Sequence, residues 1–310
     1  MEQTLTKEEY KAMKQEEQKK VFRLLDIQTE RCMSSQDNFK KLLNMLSVHT
    51  ATTVSNTLLA LIQLPEAKAV LPKDEWERRG VPVVKNGEGY YPTGIYQFAD
   101  GGEGIGSDGE LHKRYRVYKG YDASYTSNPD LAVSLMQYKP LNKVFFGISP
   151  EAAINCALFN SSPVKCLLYD PKKLIDDKEN ISEEVGVKYI PETQTVIVRK
   201  INRSEWFARI SYEIALGVIH KQQGKNFSRE KFAFEATVVA YMLSKRIDLP
   251  VEQFQFDLSR AMKGKTLKEF RHTIQECDDI AHEIFYKIEK HLEKTNRPKT
   301  TNFDYAKGGI

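Results

Sequence analysis

The apolar and polar positions of the first 80 residues predict a series of helices. Residues Thr6–Glu9 have the Thr-x-x-Glu pattern of a capping box, which predicts a long helix after Thr6. Apolar residues at helical spacing after Ser35 predict a second helix. A third should span Val54–Gln63, and a short helix containing Trp76 should end at Gly80. The chain therefore begins with a helical region.

Strand signals follow this region and predict a small antiparallel sheet. Residues 81–84 are predicted to turn at Asn86-Gly87 and to pair back with residues 94–98, because Asn-Gly is a strong hairpin signal. Residues 114–118 read as another strand. The glycine-rich stretch 100–109 lacks the Gly-x-Gly-x-x-Gly spacing and the Lys-Ser/Thr pair of phosphate-binding loops, so it favours a loop tip.

The second half of the chain mixes helices with short strands. Strands are predicted at 164–169 and 195–198, and helices at 150–158, from about 204 past Glu213, at 228–246 and at 266–293. Ser149 and Ser228 are the expected caps, 176–184 a charged loop, and the tail 296–310 disordered. The predicted fold class is α+β: N-terminal helices with a small antiparallel sheet, followed by a mostly helical domain with a small sheet.

Size and composition limit the class of protein. The 310 residues suffice for two domains of ordinary size. The N-terminus has no secretory signal and no apolar run is long enough to span a bilayer, so a cytoplasmic location is expected. The four cysteines are far apart and form no Cys-x-x-Cys pair, which argues against a zinc knuckle or a disulfide framework.

The net charge of +4 is unevenly distributed. Residues 1–130 contain nearly equal numbers of acidic and basic side chains, whereas basic residues are in excess in the remainder. The excess is most visible at Arg260, Lys263, Lys265, Lys268 and Arg271. Such a segment can contact phosphate, or it can be a solvated helix face, and charge alone does not separate the two.

The helix that contains Glu213 has a candidate catalytic pattern with its metal ligands missing. A zinc peptidase has His-Glu-x-x-His, with two histidines on one helix face and a glutamate that polarises the zinc-bound water. Here Tyr212 and Leu216 stand at the two histidine positions. The helix is either a degenerate peptidase helix or an ordinary core helix in which Arg209 pairs with Glu213.

Taken together, these segments resemble the ArdC-type antirestriction family of conjugative plasmids and transposons. The matching segments are Ser55–Leu59, Gln63–Ala67, Val70, Trp76, Gly80, Lys85–Gly89 and Tyr121–Thr126, with Tyr125 in place of the family's glutamine. The resemblance covers residues 39–288 and is weak between 131 and 187. It implies a single-stranded-DNA-binding domain at 1–135 and a zincin-like metallopeptidase domain at 136–295.

The resemblance also implies that the peptidase chemistry is lost. Ala233 occupies the position of the family's third zinc ligand, so all three ligand positions, Tyr212, Leu216 and Ala233, lack a zinc-binding side chain. Glu213 is a remnant of the catalytic set, and His220 matches a family histidine that is not a ligand. We therefore expect a pseudo-metallopeptidase with no catalytic residue, no bound metal and no cofactor.

The implied function is single-stranded-DNA binding by an antirestriction-like protein of a mobile genetic element. Aromatic faces and cations are needed for such binding, and the candidates are Asn56, Gln63, Trp76, Arg78, Arg79, Lys85, Tyr90, Tyr91, Tyr96, Lys113, Arg114, Tyr115, Arg116, Tyr118, Lys263, Lys265 and Lys268. Trp76 and the tyrosines could instead be core residues. The alternative function is an interaction module that inhibits a host restriction or defence protein without binding DNA.

Overall fold

The computed structural model describes residues 6–49, 52–105, 111–137, 150–170, 186–199 and 206–295. The helices, in chain order, are α1 (Lys7–Ser34), α2 (Gln36–Val48), α3 (Val54–Gln63), α4 (Lys73–Arg78), α5 (Pro129–Met136), α6 (Pro150–Ser161), α7 (Trp206–Gln223), α8 (Ala233–Arg246), α9 (Leu258–Ala261) and α10 (Leu267–Thr295). The strands are β1 (Val70–Leu71), β2 (Ile95–Ile105), β3 (Leu111–Asp122), β4 (Lys165–Leu168), β5 (Val187–Ile190) and β6 (Thr195–Val198). The predicted α+β class is confirmed.

The chain packs as two units. The first unit comprises residues 1–139 and 228–281, and the second comprises 140–227 and 282–310. The units are defined by which residues pack together. They do not test the domain boundaries at residues 135 and 295, which stay a prediction. Within the described residues, no helix is both long enough and apolar enough to cross a bilayer.

The three N-terminal helices begin where their caps predict. The Thr6 hydroxyl accepts from the Glu9 backbone N–H and the Glu9 carboxylate accepts from the Thr6 N–H, which completes the capping box of α1. Ser35 caps α2 and Thr53 caps α3. Capping side chains satisfy N–H groups that the first helical turn leaves unpaired, which is why these boundaries could be read from the sequence.

The predicted hairpin between residues 81–84 and 94–98 is wrong. The β2 strand pairs with β3 instead, from Ile95 opposite Gly120 to Ile105 opposite Leu111. The Asn86 side chain accepts the N–H groups of Glu88 and Tyr90, so the Asn-Gly signal closes a local loop and not a hairpin. The resulting antiparallel sheet has the order β1-β3-β2.

The core of the first unit combines residues that are distant in sequence. The fully buried Phe39 ring of α2 lies 5.7 Å from Phe234, 5.0 Å from Phe256 and 6.0 Å from Phe270. A buried ion pair joins Arg246 to Asp278 at 2.8 Å. The segment 228–281 therefore packs with the helices of residues 1–139.

One helix of this segment begins later than predicted. The Ser228 hydroxyl accepts from the Lys231 backbone N–H, as a cap would, but the chain makes only turns there and α8 begins at Ala233. Ser228 therefore caps a turn that precedes α8 and does not cap the helix itself. The helix predicted from about Thr266, by contrast, begins at Leu267, and Thr266 and Glu269 form a capping box before it.

The second unit is built around α7. Its sheet has the order β4-β6-β5, with β4 parallel and β5 antiparallel to β6. Helix α7 packs against β5 and β6 and against α6. A Cβ atom on Gly217 would lie 2.8 Å from Val164 and 3.1 Å from the Tyr189 ring, so only glycine allows this close approach of helix and sheet.

Some sequence predictions fall outside the described residues. These are the Ser149 cap, the charged loop at 176–184, the start of the Glu213 helix near Ser204 and the tail 296–310.

Candidate functional site

The Glu213 carboxylate is directed at the sheet of the second unit. Its Oε2 atom accepts the Tyr189 backbone N–H of β5 at 2.6 Å, and the residue is 7% exposed. A carboxylate that accepts a buried N–H makes a charge-assisted bond, stronger than a neutral one. This contact gives the Glu213 carboxylate a structural partner in the sheet.

The residues at the metal-ligand positions do not fit a zinc ion. Leu216 is fully buried and its side chain has no donor atom, while Tyr212 is half-buried on the same helix. Ala233, the first residue of α8, also offers no ligand. Among the described residues, no group of three or more His, Cys, Asp or Glu side chains could hold a metal ion.

His220 is also held by contacts within the second unit. Its Nδ1 atom lies 2.8 Å from the Tyr189 hydroxyl, and its ring stacks on Phe227 at 4.4 Å. Burial raises the pKa of Tyr189 to about 12, so its hydroxyl is protonated at neutral pH. His220 thus helps to fix the side chain of Tyr189, the residue whose backbone N–H is accepted by Glu213.

Replacing Glu213 tests its structural role. Glu213→Gln keeps an acceptor for the Tyr189 N–H but removes the charge, so we expect a loss of about 1 kcal/mol in unfolding free energy. Urea denaturation measures this change. Glu66→Gln, at an exposed glutamate, is the control and should stay within about 0.5 kcal/mol of the parent. An equal effect of both substitutions would contradict the assignment.

Asn56 and Gln63, two of the DNA-binding candidates, bind the free edge of β2. The Asn56 amide donates to the Phe98 carbonyl at 2.9 Å and accepts its N–H at 2.8 Å. The Gln63 amide does the same with Tyr96, at 3.1 and 2.9 Å. The two side chains act as a neighbouring strand would, so we infer that they position β2.

Trp76 is a core residue, which corrects the expectation that it could stack on a base. Its ring is fully buried, and its indole N–H donates to the Tyr121 carbonyl at 2.8 Å. Arg78 and Arg79 are also engaged locally: both form ion pairs with Glu75 on α4, and Arg78 reaches Asp74 as well. The cations of α4 are therefore partly neutralised.

The strand Arg114–Tyr118 presents two different faces. Tyr115 is 50% exposed and lies 5.8 Å from Phe98, whose ring is 5.0 Å from Phe22 of α1. Arg114, Arg116 and Tyr118 alternate with it, and both arginines are exposed. Burial raises the pKa of the half-buried Tyr118.

The other basic candidates divide into exposed and engaged residues. Lys263 and Lys268 are exposed, whereas Lys265 bonds Glu235 and Thr273, each at 3.3 Å. Arg271 binds Asp26 at 2.8 Å. Lys85 lies beside the Tyr91 ring. The Lys113 side chain is outside the described part of the chain.

An open groove of about 800 Å³ lies between α1 and β2 in the first unit. We call it the Tyr96 groove; its lining includes Met13, Glu16, Lys19, Lys20, Arg23 and Tyr96. The Nζ atoms of Lys20 and Lys119 lie 5.7 and 5.3 Å from the centre of the Tyr96 ring. An aromatic ring is thus flanked by two ammonium groups at the edge of an accessible groove.

Sequence reasoning found Tyr96 but missed the cations around it. Glu16, Lys19, Lys20 and Arg23 follow the spacing i, i+3, i+4, i+7, which places them on one face of α1. That spacing is visible in the sequence, but a charged stripe on a helix usually faces only water. Its position next to Tyr96 and Lys119 depends on the packing of α1 against the sheet.

Comparisons with known proteins identify one fold. No protein-family model matches the chain, and no curated protein does. The Mn(II)-bound crystal structure of the antirestriction ArdC protein from plasmid R388 is similar, with a TM-score of 0.52 and 14% identity over 87% of this chain and 98% of that one. The metal-free structure of the same protein has a TM-score of 0.48 and 13% identity, over 88% and 99%.

At this level of identity the similarity concerns the fold. It extends over nearly the full length of the ArdC chain, so it includes both halves of the sequence resemblance. The resemblance to ArdC-type antirestriction proteins is thereby confirmed, and this chain has their fold.

Proposed function

We propose that the protein binds single-stranded DNA through the Tyr96 groove and serves as an antirestriction-like protein of a mobile genetic element. The observation that carries the proposal is the Tyr96 ring with Lys20 and Lys119 beside it, at the edge of the groove. Nucleic-acid bases stack on aromatic rings, and ammonium groups bind the phosphates between them. The ArdC fold supports the antirestriction part of the proposal.

The charges of the groove suit a weak, salt-sensitive interaction. Lys19, Lys20 and Arg23 face Glu16 and Glu17 along the same helix, so the cations are only in modest excess. Binding through phosphate contacts loses affinity as salt rises, because the release of condensed counterions gains less entropy in a more concentrated salt solution. We expect a clear preference for single strands, since only unpaired bases can stack on Tyr96.

Substitution of Tyr96 tests this function. A fluorescent oligonucleotide should bind the parent chain at low salt, and Tyr96→Ala should weaken binding about tenfold, as loss of one base–aromatic stack predicts. Lys20→Gln and Lys119→Gln should each make binding less dependent on salt. Fluorescence anisotropy against salt, with single- and double-stranded oligonucleotides, measures both effects.

A matched control is Tyr286→Ala on α10. Tyr286 is 58% exposed and has one lysine, Lys290, 5.5 Å from its ring, but it lies outside the Tyr96 groove. Its loss should leave binding unchanged. Absence of binding at low salt, or an equal effect of the two substitutions, would remove the proposal.

We also propose that the metallopeptidase-like part of the chain is catalytically inactive. Leucine and tyrosine at the ligand positions and the engagement of Glu213 with the Tyr189 N–H support this. Metal analysis of tag-free protein is the test, and about one zinc per chain would overturn the proposal. The same part could bind a host defence protein, and a stable protein partner without any DNA shift would favour that alternative function.

A further inference from the structure

Tyr91, an exposed tyrosine, has two lysines beside its ring, as the half-buried Tyr96 does. The Tyr91 ring is 41% exposed, and the Nζ atoms of Lys73 and Lys85 lie 3.9 and 5.4 Å from its centre. The interaction with Tyr91 raises the pKa of Lys73 above its usual value. We propose that Tyr91, Lys73 and Lys85 form a second base-stacking subsite, the Tyr91 subsite, on the same nucleic-acid track as Tyr96.

The chain itself keeps the two rings close together. Tyr91 and Tyr96 are five residues apart, so their Cα atoms can be separated by about 18 Å at most. This separation is within reach of a short single strand, because single-strand binding sites commonly cover about 4 to 16 nucleotides.

Strand β3 runs from the Tyr96 cluster to the strand that precedes Lys73. Lys119 and Tyr121 are two residues apart, so both side chains point to the same face, with their Cα atoms about 7 Å from each other. Lys119 lies over Tyr96. Tyr121 pairs with Leu71 of β1, and Lys73 begins α4 only two residues after Leu71.

The chemistry repeated at the two clusters identifies the class of ligand. Each of the two rings has two ammonium groups beside it. Among the described residues, only one of these four lysines forms an ion pair: the Lys73 ammonium lies 3.7 Å from the Glu77 carboxylate. A ligand that presents flat rings at intervals, with negative charges between them, fits this arrangement. Single-stranded nucleic acid has that repeat. The inference rests on the proposed function of the Tyr96 groove, to which the Tyr91 subsite adds a second contact with the same strand.

Two linked subsites predict how affinity depends on length. Once a strand bound at Tyr96 is long enough to reach Tyr91, the second contact becomes intramolecular and adds affinity without a second encounter. Short oligonucleotides should therefore depend on one tyrosine, and long ones on both. A single site would give no such step.

The experiment is a length series of fluorescent oligothymidylates, from about 3 to about 15 nucleotides, titrated against the full chain at low salt. We expect the affinity of the parent chain to rise about tenfold at one length, as one additional base stack predicts. Tyr91→Ala should abolish this step and leave the affinity for shorter strands unchanged. Tyr96→Ala should weaken binding at all lengths. An oligouridylate series in parallel shows whether the track distinguishes DNA from RNA.

The neighbouring Tyr90→Ala is the matched control. Tyr90 is 69% exposed, and in the described part of the chain no lysine lies over its ring. Its loss should change neither the step nor the affinity. Because Tyr90 and Tyr91 are both exposed, we expect both variants to keep the thermal midpoint of the parent chain.

The outcomes separate this inference from the proposed function. If Tyr96→Ala weakens binding but Tyr91→Ala does not remove the rise in affinity with length, the proposed binding at the Tyr96 groove is supported and the second subsite is refuted. If Tyr91→Ala weakens binding equally at every length, or if Tyr90→Ala acts as Tyr91→Ala does, the subsite is also refuted. If no oligonucleotide binds at any length, both proposals fail.

Discussion

Replacing Phe39 by alanine is expected to lower the free energy of unfolding by about 3 to 5 kcal/mol. Phe39 is fully buried, and its ring contacts three other phenylalanines, Phe234, Phe256 and Phe270. Removal of the ring leaves a cavity between segments that are about 200 residues apart in sequence, and close-packed cores relax only partially into such a cavity. Urea denaturation followed by circular dichroism measures the loss.

The control for Phe39 is Tyr10→Ala on α1. Tyr10 is 53% exposed, so the substitution should change the free energy of unfolding by no more than about 0.5 kcal/mol.

The contacts of Phe39 with Phe234, Phe256 and Phe270 also predict the behaviour of the fragment 1–135. Without α8, α9 and α10 it exposes the Phe39 face of α2, and we expect it to unfold without a cooperative transition. A fragment 1–135 as stable as the full chain would contradict this expectation and would support a domain boundary at residue 135.

Acidification is expected to destabilise the chain through His49. Burial lowers the pKa of His49 from 6.5 to about 4, despite a hydrogen bond to the Met136 backbone and the charge of Asp122. The unfolded chain therefore binds a proton near pH 6.5, and the folded chain only near pH 4. Between these values the unfolded state holds more protons, so stability falls as the pH drops from 6.5 towards 4. At pH 5 the loss should be about 2 kcal/mol.

His49→Gln isolates this effect from other titrating groups. The His49 ring is 5% exposed, and its buried Nδ1 atom has no hydrogen-bond partner in the described part of the chain, so a proton there would not be compensated. The parent chain should lose about 2 kcal/mol more than His49→Gln when the pH is lowered from 7.5 to 5. Unfolding free energies at the two pH values measure the difference, and identical losses would contradict the assignment.

Local signals in the sequence were reliable where the structure depends on local bonds. The capping residues Thr6, Ser35 and Thr53 act on N–H groups two or three residues away, so no tertiary information is needed to place α1, α2 and α3. The prediction of a hairpin at Asn86 was wrong because strand pairing, unlike helix capping, depends on contacts that are distant in sequence. Asn-Gly specifies a turn, but the strand that β2 pairs with is selected by long-range packing, and here it is β3.

For the candidate sites, too, residue type could be read from the sequence, whereas the contacts of each residue required the structure. The sequence showed that Tyr212 and Leu216 replace the two histidines of a zinc-peptidase motif, because residue type can be read without the fold. It could not show that Glu213 accepts the Tyr189 N–H, since the partner is 24 residues away on another element. Both Trp76 and Tyr96 were aromatic candidates in the sequence, and only the structure shows that Trp76 is fully buried whereas Tyr96 lines a groove.

The amino-acid sequence by itself determined most of the long helices, the α+β class and the absence of histidine at positions 212 and 216, since these follow from short-range patterns and from residue type. Only the tertiary structure decided which side chains are accessible and which charges surround them. Packing turned Asn56 and Gln63 towards the edge of β2 and placed Lys20 and Lys119 beside Tyr96. Burial and proximity are properties of the folded chain, and binding depends on both.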